Sequence, residues 1–217
     1  IEDLEDLASL VIDQLELRLA AKRSVDHANL LAREIDHRVM NSLQFVVGML
    51  NIQARTASGE TASQLRDMAA RVAAVATVHR NFYSVDSEEV RCVEFLQRLC
   101  ADVGEITTAT VDVEGDAVTV PTEWIQPIGL ITNELVTNSA KHGARAVTVR
   151  FTCDGDSYRL SVADDGPGLP KDFSLDKSSG LGMKVLSVLA QQLGGELEAR
   201  PNPDGKGACV SIAWSKQ

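Results

Sequence analysis

The first 82 residues contain no proline and only two glycines, Gly48 and Gly59. That lack of helix breakers constrains the fold more than any other feature of the chain. Apolar residues recur there at three- and four-residue steps: Leu4, Leu7, Val11, Leu15 and Leu19, then Val25, Ala28 and Leu31, then Ile35, Val39, Leu43, Val46 and Leu50. This is the period of an amphipathic α-helix. The stretch TASGETAS, Thr56–Ser63, is the expected break, and a second apolar face follows with Leu65, Met68, Val72, Val75 and Phe82. Two antiparallel helices bury only part of such stripes. The expectation is therefore an α-helical hairpin that doubles into a dimeric four-helix bundle.

After YSVDSEE, Tyr83–Glu89, the pattern changes. A helical stretch over Val93–Val103 gives way to the β-rich ITTATVDVEG and DAVTV, and then to a helix from near Pro121 to Lys141. Alternating strands AVTVRFTCDG and SYRLSVADDG, a glycine-punctuated loop, a helix over Leu181–Leu193 and the strands GELEAR and ACVSIAWS complete the chain. Strands of alternating polarity beside a few helices predict an α+β two-layer domain with one sheet face covered and one wet.

Composition excludes some roles. With 31 acidic against 21 basic residues the formal charge is −10, which disfavours a general nucleic-acid or anionic-membrane surface. The longest apolar run, FVVGML, is far too short for a membrane span, and no signal peptide is visible. Cys92, Cys100, Cys153 and Cys209 are scattered, so buried reduced thiols in a cytoplasmic protein are expected. The chain opens on Ile1 in a helical pattern, as expected for a portion of something longer.

Three clusters carry chemistry. In TNELVTNSAKHG, Thr132–Gly143, Glu134 and Asn138 share a helix face, and Lys141 and His142 follow at the helix end. An amide oxygen is a hard ligand suited to Mg²⁺, a carboxylate can organise metal-bound water, and the cations suit a triphosphate. In ADDGPGLP, Ala163–Pro170, Asp164 ends a strand and can accept a hydrogen bond from an exocyclic amine, while Gly166 and Gly168 turn the backbone beside a flat ligand. In SSGLGMKVL, Ser178–Leu186, Gly180 and Gly182 precede a helix whose free N–H groups suit an anion. Each cluster alone also fits a bland account: a solvated helix face, an Asp-Gly turn, a helix start.

In order and spacing, over roughly residues 90–217, the three resemble the nucleotide boxes of the GHKL ATPases, which include gyrase, MutL and the histidine kinases. The resemblance implies a Bergerat-type ATP-binding fold with ATP and Mg²⁺. It implies Glu134 as the catalytic or water-orienting acid and Asn138 as the metal ligand. Lys141 and His142 become phosphate contacts, Asp164 the adenine reader, and Gly166, Gly168, Gly180, Leu181 and Gly182 the hinges and edge of the ATP lid. The N-terminal half carries HRVMNSLQ, His37–Gln44, similar to the phospho-acceptor segment of a histidine-kinase subclass that reads His-Arg-Val-Lys-Asn. Met40 stands where that subclass has Lys. The Trp-x-Glu signature of the sibling HWE class is missing, since Trp124 is followed by Ile and Gln.

His37 itself lies off the stripe of Ile35, Val39, Leu43, Val46 and Leu50 at about 100° per residue, on the side of Arg33, Glu34, Asn41 and Gln44. An exposed imidazole keeps a free ring-nitrogen lone pair, as a phosphoryl acceptor must. Glu34, three residues back, can reach the ring. The resemblance leaves Asp36 as the other candidate for the orienting acid, and implies Asn41 as a water-positioning residue for phosphatase action. His79 reads as structural.

The resemblance thus implies a sensor histidine kinase. Residues 1–23 would be a signalling helix from a GAF- or PAS-type sensor, 24–84 the dimerisation and phosphotransfer hairpin, and 88–217 the ATP-binding domain. His37 would be autophosphorylated and would pass the phosphoryl group to a response-regulator receiver aspartate docked on the lower bundle. The rivals are a phosphotransfer protein with a decayed ATP site and another GHKL ATPase or serine kinase.

Overall fold

The computed structural model describes residues 2–82, 89–107, 109–170, 173, 175 and 181–216, with the side chains of 2–13, 29, 33, 36, 80–82, 105–106 and 181 outside the description. The breaker-free stretch forms one helix, α1 (Glu2–Thr56), and a second, α2 (Gly59–Phe82), packs back against it. The break is narrower than the expected eight-residue stretch: only Ala57 and Ser58 are non-helical. Gly59 at φ +61° supplies the reversal that a side-chain-bearing residue resists.

The hairpin corrects the expected stripe. Ile35, Val39 and Val46 are exposed at 60, 37 and 42%. The α1 residues drawn from solvent are Met40, Leu43, Val47, Leu50 and Ala54, a clean three–four alternation that forms the seam to α2. On α2 Ala62, Ala69, Ala74, Ala76 and Val78 are buried, with Leu65, Val72 and Val75 half-buried, whereas Met68 is exposed. Alanines let the two backbones approach, while Phe45, Met49, Ile52 and Met68 face outward. Leu15 and Leu19 are exposed as well; Leu4, Leu7, Val11 and Phe82 fall outside the described side chains. Residues 83–88 are outside the described residues.

The second half is the two-layer domain expected. Strand β1 (Glu89–Arg91) pairs antiparallel with β3 (Thr119–Pro121), and between them lie α3 (Cys92–Ile106) and β2 (Thr110–Gly115). Helix α4 (Thr122–Lys141) leads to β4 (Ala146–Asp154) and β5 (Ser157–Asp164), then α5 (Leu181–Gln192), β6 (Glu196–Pro201) and β7 (Ala208–Ser215). The five-stranded sheet runs β2-β4-β5-β7-β6. Only β2–β4 is parallel, as the long crossover through α4 requires.

Period-two alternation decides which face is covered. Val147, Val149, Phe151, Tyr158, Leu160, Val162, Ile212 and Trp214 point into a core closed by Phe95, Leu96 and Leu99 of α3, Ile125, Ile128 and Ile131 of α4 and Leu186 of α5. Trp124 meets Tyr158 and Trp214 edge-on, with centroids 5.1 and 5.9 Å apart. The opposite face carries ion pairs, Arg150 with Glu114 and Arg159 with Glu198. The hairpin enters this core too. Val78 of α2 is 1% exposed among these residues. It fits because Gly129 has no Cβ: one added there would come within 2.9 Å of Phe95 and 3.0 Å of Val78.

Candidate functional site

Helix α4 ends in a polar face. Glu134, Asn138 and Lys141 follow at i, i+4 and i+7, all with partial access to solvent, and His142 caps the helix. The face abuts α2 and the start of α5. Arg71 of α2 lies 3.3 Å from the Glu134 carboxylate, with side chains 26 and 14% exposed. Lys141 bonds Asp67, one turn before Arg71, at 2.8 Å. Gly182, buried in the first turn of α5, sits so close that a Cβ there would land on Glu134 Oε1. Lys141, expected at the phosphate side, is thus engaged by the hairpin, and so is the acid.

Asp164 ends β5, as expected, and three hydrogen bonds hold its carboxylate. Its Oδ1 accepts N–H groups of Gly166 (2.9 Å) and Ala208 (3.2 Å), and its Oδ2 accepts the Ser139 hydroxyl at 3.0 Å. The Asp164 carbonyl accepts from the Asn202 amide at 2.9 Å. Gly207, at φ +110°, passes directly beneath, where any Cβ would fall on that carbonyl. Gly168, at φ +82°, turns the chain away. The neighbouring Asp165 accepts N–H groups of Arg145 (2.7 Å) and Ala146 (3.0 Å), tying the loop after α4 to the end of β5. The Ala146 and Arg145 bonds hold its carboxyl below the ordinary carboxylate range.

One α4 end therefore brings together Glu134, Asn138, Lys141 and Gly182, and through Ser139 also Asp164 and Gly166. Gly180 lies outside the described residues, as does the Leu181 side chain, and the loop Leu169–Ser179 is described only in part. A cavity of about 590 Å³ lined by Phe173, Leu175, Ala190 and Leu197 includes none of these groups.

His37 is exposed on α1, with Asn41 exposed one turn on. Among the described residues no hydrogen bond or ion pair joins it to the α4–β5 groups. Glu34, expected to reach the imidazole, instead accepts from Arg38 at 2.9 Å, a partner one full turn on. The Asp36 side chain lies outside the described residues. His79 is half-buried on α2. Cys92, Cys100 and Cys209 are buried and Cys153 half-buried, all as free thiols. Burial pushes the Cys100 thiol up to about 12 and Cys92 higher still, so neither is a nucleophile.

Sequence reasoning missed Asp67, Arg71, Ser139, Asn202 and Gly207. Asp67 and Arg71 carry a visible i, i+4 charge pair, but nothing in their own segment points at α4. Ser139 lies within Thr132–Gly143, where nothing in the local pattern signals its bond to Asp164.

Comparison with known proteins agrees with this geometry. Residues 34–107 match the family described as "Histidine kinase", and residues 125–217 match "Histidine kinase-, DNA gyrase B-, and HSP90-like ATPase". The chain is 29% identical to "Blue-light-activated histidine kinase 2" of Erythrobacter litoralis over 94% of its length and 63% of the relative's. It is 30% identical to "Sensor histidine kinase PdtaS" of Mycolicibacterium smegmatis over 80% of its length and 37% of the relative's. It thus spans from under two fifths to just under two thirds of these relatives. The solved histidine kinase domain of a blue-light-activated histidine kinase from Erythrobacter litoralis superposes with a TM-score of 0.57 at 28% identity, covering 84% of this chain and 89% of that one. With both halves matched in chain order, the chain belongs to the GHKL-type sensor histidine kinases, of which it carries the catalytic core.

Proposed function

We propose that the chain binds ATP with Mg²⁺, transfers the γ-phosphoryl group to His37, and hands it to an aspartate of a response-regulator receiver. The carrying observation is that α4 presents Glu134, Asn138 and Lys141 on one face beside an Asp164 locked at the end of β5, on the same chain as a solvent-exposed histidine.

The residues fit the ligands. Gly166 and Gly207 pack so closely on Asp164 that a Cβ at either would crowd its carboxylate or its carbonyl, so these glycines hold the proposed base reader in place. Among the described residues no cluster of three or more His, Cys, Asp or Glu could hold a metal unaided. Mg²⁺ would therefore depend on the Asn138 amide oxygen and on the phosphates, as this ion prefers. Held there beside Asn138, the ion would supply positive charge to offset that of the phosphates. Lys141 and His142 take the phosphate side, Asp164 the exocyclic amine of the base, and Gly166, Gly168, Gly180, Leu181 and Gly182 the hinges and edge of the lid. Glu134 orients the reacting end. A ring nitrogen of His37 attacks in line: the N–P bond forms, the bond to the β-phosphate oxygen breaks and ADP leaves. Glu34 and Asp36 remain the two candidates for orienting the ring, and Asn41 is the residue that positions water for phosphatase action, in which water hydrolyses the phosphorylated aspartate of the regulator and releases inorganic phosphate.

The same reading assigns residues 24–84 to the phosphotransfer hairpin, 88–217 to the ATP-binding domain, and 1–23 to a signalling helix from a GAF- or PAS-type sensor. The outward Phe45, Val46, Met49, Ile52 and Met68, 42–69% exposed, support a homodimer through the hairpin and a receiver dock on its lower half. Among the described residues no helix is long and apolar enough to cross a membrane.

Labelling with γ-phosphate-tagged ATP tests the reading. Acid-labile, base-stable label should appear on the wild type and vanish in His37→Ala; label that persists in the variant refutes it.

A further inference from the structure

We infer that Ser139 is a positioning residue that makes the base end of the site selective for an amine-bearing purine. The inference rests on the proposed role of Asp164. A carboxylate offers about four acceptor positions. On Asp164, Oδ1 spends both of its positions on the backbone N–H groups of Gly166 and Ala208, and Oδ2 spends one on Ser139. One acceptor position on Oδ2 is left. The Ser139 proton is committed to Asp164, so its oxygen can only accept. The two side chains therefore face a ligand with acceptors alone. A 6-amino purine supplies the matching donor, whereas a 6-oxo purine sets oxygen against oxygen.

Ser139 gives up a local bond to do this. Helical serines commonly bond back to the carbonyl four residues earlier, and Ser24, Ser42 and Ser187 do so here, to Ala20, Arg38 and Met183. Ser139 reaches across to β5 instead. It also follows Asn138 directly on α4, so the metal ligand and the holder of the base reader are consecutive residues about 100° apart around one rigid helix. Base recognition is thereby tied mechanically to the phosphate end.

The test is calorimetric titration of the whole chain with ATP and with ITP in Mg²⁺, for wild type, Ser139→Ala, Ser139→Thr and Asp164→Asn. Ser139→Ala should bind ATP roughly tenfold more weakly with ITP affinity unchanged. The ATP-to-ITP ratio should then fall by the same factor, and Ser139→Thr, which keeps the hydroxyl, should restore it. A wild-type ratio in Ser139→Ala, or an equal loss for both nucleotides, overturns the role of Ser139. If Asp164→Asn also keeps the wild-type ratio, the reading of Asp164 fails first. If Asp164→Asn collapses the ratio while Ser139→Ala does not, only the serine inference falls.

Discussion

Replacing Arg71 with methionine keeps most of the apolar stem and removes the charge that faces Glu134. The pair is 3.3 Å long with side chains 26 and 14% exposed, so it lies between two limits. Exposed pairs contribute about 0–1 kcal/mol, and breaking a fully buried one costs about 3–5 kcal/mol. A quarter of the Arg71 side chain is wet, so a stability loss of about 1–2 kcal/mol is expected. The second pair across the same junction, Lys141 with Asp67, is 48 and 45% exposed, and screening leaves it at most about 0.5 kcal/mol. Arg71 should therefore matter more than Asp67. Because Glu134 and Lys141 are also the groups proposed to serve the triphosphate, hairpin docking and nucleotide binding draw on the same side chains. By linkage, a ligand that must break a contact worth about 1 kcal/mol binds roughly fivefold more tightly once the contact is gone. Arg71→Met should thus lower the urea midpoint while tightening Mg·ATP binding severalfold, read by denaturation and by nucleotide titration of the same preparation. Weaker nucleotide binding would refute the reasoning, since Arg71 would then be a phosphate ligand. A stability change below about 0.5 kcal/mol would reduce the pair to an ordinary surface contact.

Three further outcomes are expected. Val78→Ala removes two methyl groups from a fully buried site and should cost about 2 kcal/mol in urea denaturation; in a Gly129→Ala background, whose added Cβ crowds Val78, the cost should shrink or reverse in a double-mutant cycle. Gly207→Ala must hold an unfavourable φ of +110° and also displace the Asp164 carbonyl, so it should lose at least about 2 kcal/mol and weaken nucleotide binding, while Gly205→Ala, with open space at its Cβ, should fold as the wild type. The Asp165 carboxyl is held below its ordinary value by the Ala146 and Arg145 N–H groups, so its stabilisation is present above the unfolded carboxylate range and is lost as pH falls through the depressed value. Stability measured from pH 6 down to about 3 should therefore fall less steeply in Asp165→Asn than in the wild type.

The layered second half was readable because period-two strands and strong breakers coincide. Helix α4 was expected from near Pro121 and runs Thr122–Lys141; the expected strand starting at Ala146 runs to Asp154. The placement of the candidate residues was readable where one segment carries its own pattern: Glu134 and Asn138 lie on one helix face and Asp164 at a strand end. What stayed hidden is long-range. Arg71 meets Glu134 across 63 positions and Ser139 meets Asp164 across 25. No local pattern encodes such pairings, because each residue reads in its own segment as ordinary helix-surface polarity. The α1 seam departs from the expected stripe for a related reason. A helix with apolar residues over more than half its circumference admits several three–four stripes, and only the position of the partner selects the seam.

That seam accounts for Met40. It lies with Leu43, Val47, Leu50 and Ala54 on the side turned toward α2, and it is half-buried. A lysine there would have to extend its ammonium out of the junction to keep it hydrated, whereas a thioether fills an irregular apolar gap without that demand. His37, Asn41 and Gln44 fall within a sector of about 60° beside the seam at 100° per residue, and all three are exposed. Phe45, Met49 and Ile52 occupy the next sector, farther from α2, at 69, 46 and 65% exposure. Going round α1, packing toward α2, the histidine's polar sector and an uncovered apolar sector thus follow one another. Replacing Met40 alters the first of these and leaves His37 facing solvent, so Met40→Lys should lower hairpin stability by about 1 kcal/mol while His37 stays labelled. Loss of labelling at unchanged stability would show instead that position 40 acts on the phosphoryl group, and the packing account would be wrong.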